Sequence, residues 1–132
     1  MTQRKSLEEL NLLTEKVIGA AVQVHRELGP GLLENVYSEC LSVELADCGL
    51  QALREMTIPL HYKTISVDNA YRLDFLVNDA LIIECKAIDQ LLPIHSAQVL
   101  TYLKLTNKRL GLLINFNVEV LHKGIRRIVN GF

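Results

Sequence analysis

RLDFLVNDALIIECKA, Arg72 to Ala87, contains two apolar runs, Phe75 to Val77 and Ala80 to Ile83, that stop abruptly at Glu84, Cys85 and Lys86. Runs of this kind on either side of Asn78-Asp79 read as two buried strands and a turn. A buried strand should not finish on charges, and Asp74 adds another carboxylate to the first run. Residues two apart in a strand share a face, so Glu84 and Lys86 point together while Ile83 and Cys85 point the other way. The turn decides where Asp74 falls. A loop of Asn78-Asp79 alone sets Asp74 opposite Ile83. A loop of Asn78, Asp79 and Ala80, or an equivalent bulge, sets Val77 opposite Leu81, Asp74 opposite Glu84 and Arg72 opposite Lys86. The second arrangement is the one expected. Two carboxylates about 5 Å apart repel by roughly 3 kcal/mol at an effective dielectric near 20. Lys86 offsets part of that, and a divalent cation would offset more, with hard oxygen ligands suiting Mg²⁺ or Mn²⁺. The bland reading of the same spacing is a solvent-facing strand with an ordinary Asp74–Lys86 or Glu84–Arg72 pair.

Outward from this stretch the chain alternates clear elements. Leu7 to Leu28 has apolar residues at three- and four-residue steps (Leu10, Leu13, Val17, Ala20, Ala21, Val24), which predicts a helix. Gly29-Pro30-Gly31 breaks it, and helical spacing resumes from Leu32 to Cys48 before Gly49. Leu53 to Tyr62 alternates like a strand, with Pro59 marking an edge or a bulge. Val67-Asp68-Asn69 reads as a turn into Tyr71 to Val77, and Leu81 to Lys86 follows as the next strand. Pro93 starts a helix running through Ile94 to Thr106. Leu110 to Phe116 reads as a buried strand, and a closing strand pair is expected over Val118 to His122 and Ile125 to Val129, turning at Lys123-Gly124. The main order is α-α-β-β-β-α-β-β, an α/β class in which helices flank a mixed sheet.

At 132 residues, with 49% apolar composition, the chain suits one domain with a sizeable core. There is no apolar run long enough for a membrane span, and Met1 to Glu9 lacks the apolar stretch of a secretory signal. Cys40, Cys48 and Cys85 form no CxxC, which argues against a disulfide scaffold and for a reducing cytoplasm. Cys40 and Cys85 are expected to act as small buried apolar residues. Net charge is −1, so no global basic field draws in nucleic acid. Its distribution is uneven: residues 1–100 hold 8 Lys+Arg against 14 Asp+Glu, whereas residues 101–132 hold 6 Lys+Arg against Glu119 alone. A basic C-terminal segment could face phosphates or simply be a solvated surface.

The helices carry further polar residues. Gly31, Glu34 and Tyr37 fall at steps of three at the start of the second helix. Glu34 there either complements its own helix N-terminus or leans over the sheet as a third carboxylate. On the third helix His95, Gln98 and Tyr102 form one stripe of residues poorly suited to a core unless hydrogen-bonded. His25 either reaches the site or binds carbonyls near the end of the first helix.

Asp74, Glu84 and Lys86 resemble the D…(D/E)xK signature of the PD-(D/E)xK nuclease superfamily, with Leu73 standing where the name-giving proline would be. Gln98-Val-Leu-Thr-Tyr102 looks like the QxxxY motif of RecB-type members, and GLLENVY, Gly31 to Tyr37, is similar to the motif that names the GxxExxY proteins. The resemblance runs from about Leu12 to Val129. It implies a restriction-endonuclease-like fold and hydrolysis of phosphodiester bonds in nucleic acid, DNA above all, by a Mg²⁺- or Mn²⁺-activated water. By the same resemblance Asp74 and Glu84 hold the metal, with Glu34 and the backbone carbonyl of Cys85 completing its shell. Lys86 positions the water or stabilises charge on the phosphorane, and Gln98 orients Lys86 or the water. Tyr102 contacts the phosphate or braces its helix, Arg72 pairs with Glu84 or Asp74 or reaches a phosphate, and Tyr37 is expected to face the substrate. Nuclease domains of this size usually dimerise around substrate, so a homo-oligomer is expected. The alternative is a catalytically silent nuclease fold kept for assembly or binding.

Overall fold

Leu10, Leu13, Val17, Ala20, Ala21 and Val24 are all buried along one side of α1 (Leu7–Leu28), as their spacing predicts. A computed structural model describes residues 5–131. Ser6 begins α1 with a capping box: its hydroxyl accepts from the Glu9 N–H at 3.1 Å and the Glu9 carboxylate reaches back. Gly29, at φ +66°, ends the helix, and the chain turns through Pro30-Gly31 into α2 (Glu34–Asp47). This helix buries Tyr37, Ser38, Leu41 and Leu45.

The remaining elements are β1 (Ala52–Tyr62), β2 (Ile65–Val77), β3 (Leu81–Lys86), α3 (Pro93–Thr106), β4 (Leu110–Asn115) and β5 (Ile125–Val129). They build one five-stranded sheet in the order β1-β2-β3-β4-β5. The β3–β4 pair is parallel and the other three pairs are antiparallel. Parallel neighbours cannot be joined by a tight turn, and α3 makes the crossover. The observed order is the expected α-α-β-β-β-α-β-β, a restriction-endonuclease-like arrangement.

Every residue of β4 is buried, and β3 is buried until Lys86, because helices cover both faces. On one face α1 and α2 pack on Phe75, Val77, Leu81, Ile83, Cys85, Leu112 and Ile114. On the other, Val99, Tyr102 and Leu103 of α3 pack on Leu73, Leu76, Ile82 and Leu113. The expected apolar role of Cys85 holds, since its side chain is fully buried in the first of these cores.

Two expected elements are corrected. Val67-Asp68-Asn69 is not the turn between β1 and β2. It lies within β2, and the hairpin turns at Lys63-Thr64. Asn69 takes φ +55° where the register slips between the Ile58–Tyr71 and Leu60–Val67 pairs. The turn-forming residues are thus absorbed as a bulge beside Pro59, on the edge strand where a missing N–H is tolerated. Val118 to His122 is likewise no strand; after Val118 the chain forms a short 3₁₀ turn, Leu121–Gly124. Gly124 is pressed onto β4 so closely that an added Cβ would lie 2.2 Å from the Asn115 carbonyl oxygen. Leu121 is buried beneath the same turn, which leaves the segment no edge to pair with.

Candidate functional site at the open end of the β2–β3 hairpin

The hairpin turn fixes the site's parity. Asn78 and Asp79 both take left-handed φ, +50° and +54°, and the Ala80 N–H bonds the Val77 carbonyl at 3.0 Å. Val77 therefore faces Leu81, as expected, followed by Leu76–Ile82 and Phe75–Ile83. Beyond Phe75 the strands part, and side chains replace the ladder. The Asp74 N–H donates to Glu84 Oε1 at 2.8 Å, and the Cys85 N–H donates to Asp74 Oδ2 at 2.8 Å. Each carboxylate thus spans the seam to the other strand's backbone.

A local irregularity opens this seam. Glu55 lies between the Arg54–Phe75 and Met56–Leu73 pairs and has φ +54°. Leu73 packs toward α3 while Phe75 packs toward α1 and α2, although strict alternation would put them on one face. The chain rotates at Asp74, and its carboxylate reaches a cleft of about 180 Å³ that Glu34, Glu39, Arg54, Glu55 and Arg72 also line. Irregularities of this kind commonly re-aim a side chain next to a functional site.

The electrostatics follow from burial. Glu84 is 5% exposed, and its carboxyl is pushed up to about 8, first by desolvation and then by the Asp74 charge. The hydrogen bond from Asp74 and the Lys86 ammonium pull it back only in part. Asp74 is raised by the same burial, against the opposing pull of the Cys85 N–H, Lys86, Arg72 and Arg54. Glu34 is exposed as a residue, yet desolvation raises its carboxyl too, with Lys86 lowering and Asp74 raising it. Glu34, Asp74, Glu84 and Lys86 therefore form one electrostatic group, drawn from α2, β2 and β3. Tyr102 joins it from α3: burial, then Glu84 and Asp74, push its hydroxyl up to about 12.

Other expected site residues sit elsewhere. Tyr37 is fully buried and stacked on Phe116, with ring centroids 4.7 Å apart. Its hydroxyl donates to the Gly29 carbonyl at 2.7 Å and accepts the Leu32 N–H at 3.1 Å. Tyr37 is therefore corrected from a substrate contact to the brace of the turn that delivers Glu34. Gln98 is exposed on α3. His95 accepts the Leu92 N–H through Nδ1 at 2.9 Å and so closes the start of its own helix. The His25 ring meets the Val118 carbonyl at 2.7 Å, which makes it a tie between α1 and the segment after β4.

Two features were not visible in the sequence. Arg54 lies over the Phe75 ring at 5.5 Å and pairs with Glu39 at 3.1 Å on the wall of the cleft. No motif or periodicity marks it; the β1 register carries it there. Asn115, 2% exposed, accepts the Ile88 N–H and donates to the Ile88 carbonyl, which clamps the chain as it leaves Lys86. Asn117 accepts the Gly31 N–H at 3.0 Å just ahead of Glu34. A buried Asn in an apolar strand was the available signal, since it has to be hydrogen-bonded.

Among the described residues no group of three His, Cys, Asp or Glu side chains stands ready to hold a metal ion. The donor set nevertheless fits a hard divalent cation in kind. It consists of carboxylate oxygens, and burial first, then the Asp74 charge, pushes the Glu84 carboxyl up to about 8, a strain that a bound cation would relieve.

Comparison with known proteins decides the family. The description of the PD-(D/E)XK nuclease superfamily matches residues 11–128. The chain belongs to that superfamily. Membership points to a nuclease and to a nucleic-acid partner, and nucleases of this superfamily generally use divalent metals. No curated protein matches. Among solved structures, one titled "Crystal structure of SSO0001" is similar at 17% identity, covering 97% of this chain and 79% of that chain, with a TM-score of 0.47. That likeness is too slight to carry an argument. No helix among the described residues is long and apolar enough to cross a membrane.

Proposed function

We propose that the protein is a metal-dependent nuclease that hydrolyses phosphodiester bonds of nucleic acid, with DNA the favoured substrate. One observation carries the reading: Asp74 and Glu84 each reach across a parted pair of strands to the other strand's backbone, with Lys86 and Glu34 in electrostatic range. Lone structural carboxylates gain nothing from such crowding.

Asp74, Glu84, Glu34 and the Cys85 carbonyl would hold Mg²⁺ or Mn²⁺. When bound, that ion supplies Lewis-acid neutralisation of phosphate charge and a lowered pKa for water. Lys86 would contribute an ammonium on the same face of β3 as Glu84, suited to negative charge developing on the phosphoryl oxygens. The β2–β3 seam orients both acids, since a backbone N–H fixes one oxygen of each. Burial keeps Glu84 protonated near neutral pH until a cation competes for the site. The QxxxY pattern of Gln98 and Tyr102 and the GxxExxY pattern of Gly31, Glu34 and Tyr37 support a reading among small RecB-like members of the superfamily. A homo-oligomer that encloses the substrate fits a nuclease domain of this size.

The test is incubation of single- and double-stranded DNA and RNA with Mg²⁺ or Mn²⁺, comparing wild type with Glu84→Ala and Lys86→Ala. Wild type is expected to cut in the presence of metal, and both variants to lose cutting. Equal activity in all three sinks the proposal. A protein that takes up no Mg²⁺ calorimetrically and leaves every substrate intact is instead a silent nuclease fold used for assembly.

A further inference from the structure

We propose that Arg54, with Arg72 beside it, is a phosphate clamp holding the nucleic-acid backbone next to the carboxylate site, and that Glu39 guards it until substrate arrives. The identity of the substrate rests on the nuclease reading above; the clamp itself rests on the cleft.

Arg54 and Arg72 line the cleft together with Glu34, Glu39, Glu55 and Asp74. Three cations, Lys86, Arg72 and Arg54, act on the single carboxylate of Asp74. One half-buried carboxylate does not need three. Lys86 also serves Glu84 and Glu34, whereas the two arginines lie on the cleft side of the seam. Arg54 is positioned for an oxyanion. The Phe75 ring supports its guanidinium, and its Nε–H is buried with no acceptor among the described residues. An arginine fork takes two oxygens of a phosphate side by side, and the Nη end that meets Glu39 is the part of this fork turned to the cleft.

Its present partner is easily replaced. Glu39 meets Arg54 at 3.1 Å, but the Glu39 side chain is 64% exposed against 27% for Arg54. A solvated carboxylate of this kind contributes little to stability, and a phosphate bound in the cleft would face a supported guanidinium instead. Glu39 holds the arginine in place without substrate and repels an anion that lacks the clamp's geometry.

Anisotropy of labelled oligonucleotides tests this, with Ca²⁺ as the divalent ion because it shares the oxygen preference of the proposed metals. Glu39→Gln is expected to tighten binding about threefold by removing a competitor and a like charge. Arg54→Met is expected to weaken it about tenfold and to lower the slope of log affinity against log salt by roughly 1. Arg54→Lys should fall between, since the charge remains and the fork is lost. Unchanged affinity in Arg54→Met and Glu39→Gln overturns the clamp, as does a wild type that retains no oligonucleotide. If Arg54→Met fails to fold, Glu39→Gln decides: tightening supports the clamp and no change overturns it. Binding that depends on Arg54 without any cleavage leaves the clamp standing and removes the nuclease reading. Cleavage with affinity independent of Arg54 does the reverse.

Discussion

The two ends of the β2–β3 hairpin are built from neighbouring residues and obey opposite rules. At the turn end, Phe75, Leu76 and Val77 pair with Ile83, Ile82 and Leu81 by backbone ladder, and their side chains fill both cores. At the other end the pairing lapses, and the carboxylates of Asp74 and Glu84 bond to the backbone in its place. The first end gains its stability from burial. The second keeps a buried and a half-buried acid close together; burial raises both, and the Asp74 charge raises Glu84 further. Such an arrangement costs stability and persists because the well-packed end over-determines it. The difference separates a scaffold from a site within a single hairpin.

Changes at either end should therefore break different properties. The largest effect is expected from Asp74→Ala: a loss of cleavage on the order of 10³-fold, read by initial rates on the preferred substrate. Retained activity would leave the seam without a catalytic role. Next, Ile83→Ala removes a fully buried side chain at the scaffold end and is expected to destabilise by about 3 kcal/mol in urea titration. A loss under 1 kcal/mol would mean that this end does not support the other.

The third prediction concerns pH. A carboxyl whose folded pKa lies above its unfolded value binds more protons folded than unfolded, so stability falls as pH rises between the two. For Glu84 that window runs from the ordinary 4.5 to about 8, and Asp74 shifts in the same direction. With chelator present, wild type should lose stability from pH 5 to 8 and then level off. Glu84→Gln should lose less, ending about 2 kcal/mol more stable than wild type at pH 9. Parallel curves for the two proteins would refute the assignment. The smallest effect is expected from Tyr37→Phe, which deletes the hydroxyl that ties Gly29 to Leu32 and should cost about 1 kcal/mol by thermal denaturation. It should slow cleavage less than Asp74→Ala, because Tyr37 acts through the placement of Glu34; equal losses would make Tyr37 part of the chemistry.

Much of this was legible in the sequence wherever one face of an element is buried. The apolar steps of α1 give Leu7–Leu28 without error, because a helix packed on one side must repeat its apolar residues every three to four positions. The parity of Asn78 to Ala80 follows from the same logic applied to strands, since a slip of one residue would turn Val77 and Leu81 out of the core. Patterning fails where neither face is buried. The outer parts of β1 and β2 are exposed on both sides, so nothing in their alternation tells a turn from a bulge, and Val67-Asp68-Asn69 reads as a turn where β2 forms a bulge. Val118 to His122 alternates like a strand but is folded over by the packing of Gly124 on Asn115.

The sequence by itself determined the helices, the order of the main elements along the chain and the meeting of Asp74 with Glu84, because burial imposes a period that residues must follow. It also carried the family, through Asp74, Glu84 and Lys86 at their spacing. Only the tertiary structure decided that Tyr37 is a buried brace, that Arg54 enters the cleft, and that Asn115 and Asn117 secure the approaches to Lys86 and Glu34. These roles depend on which segments distant in sequence come to lie side by side, and a single chain's local periodicity holds no record of that.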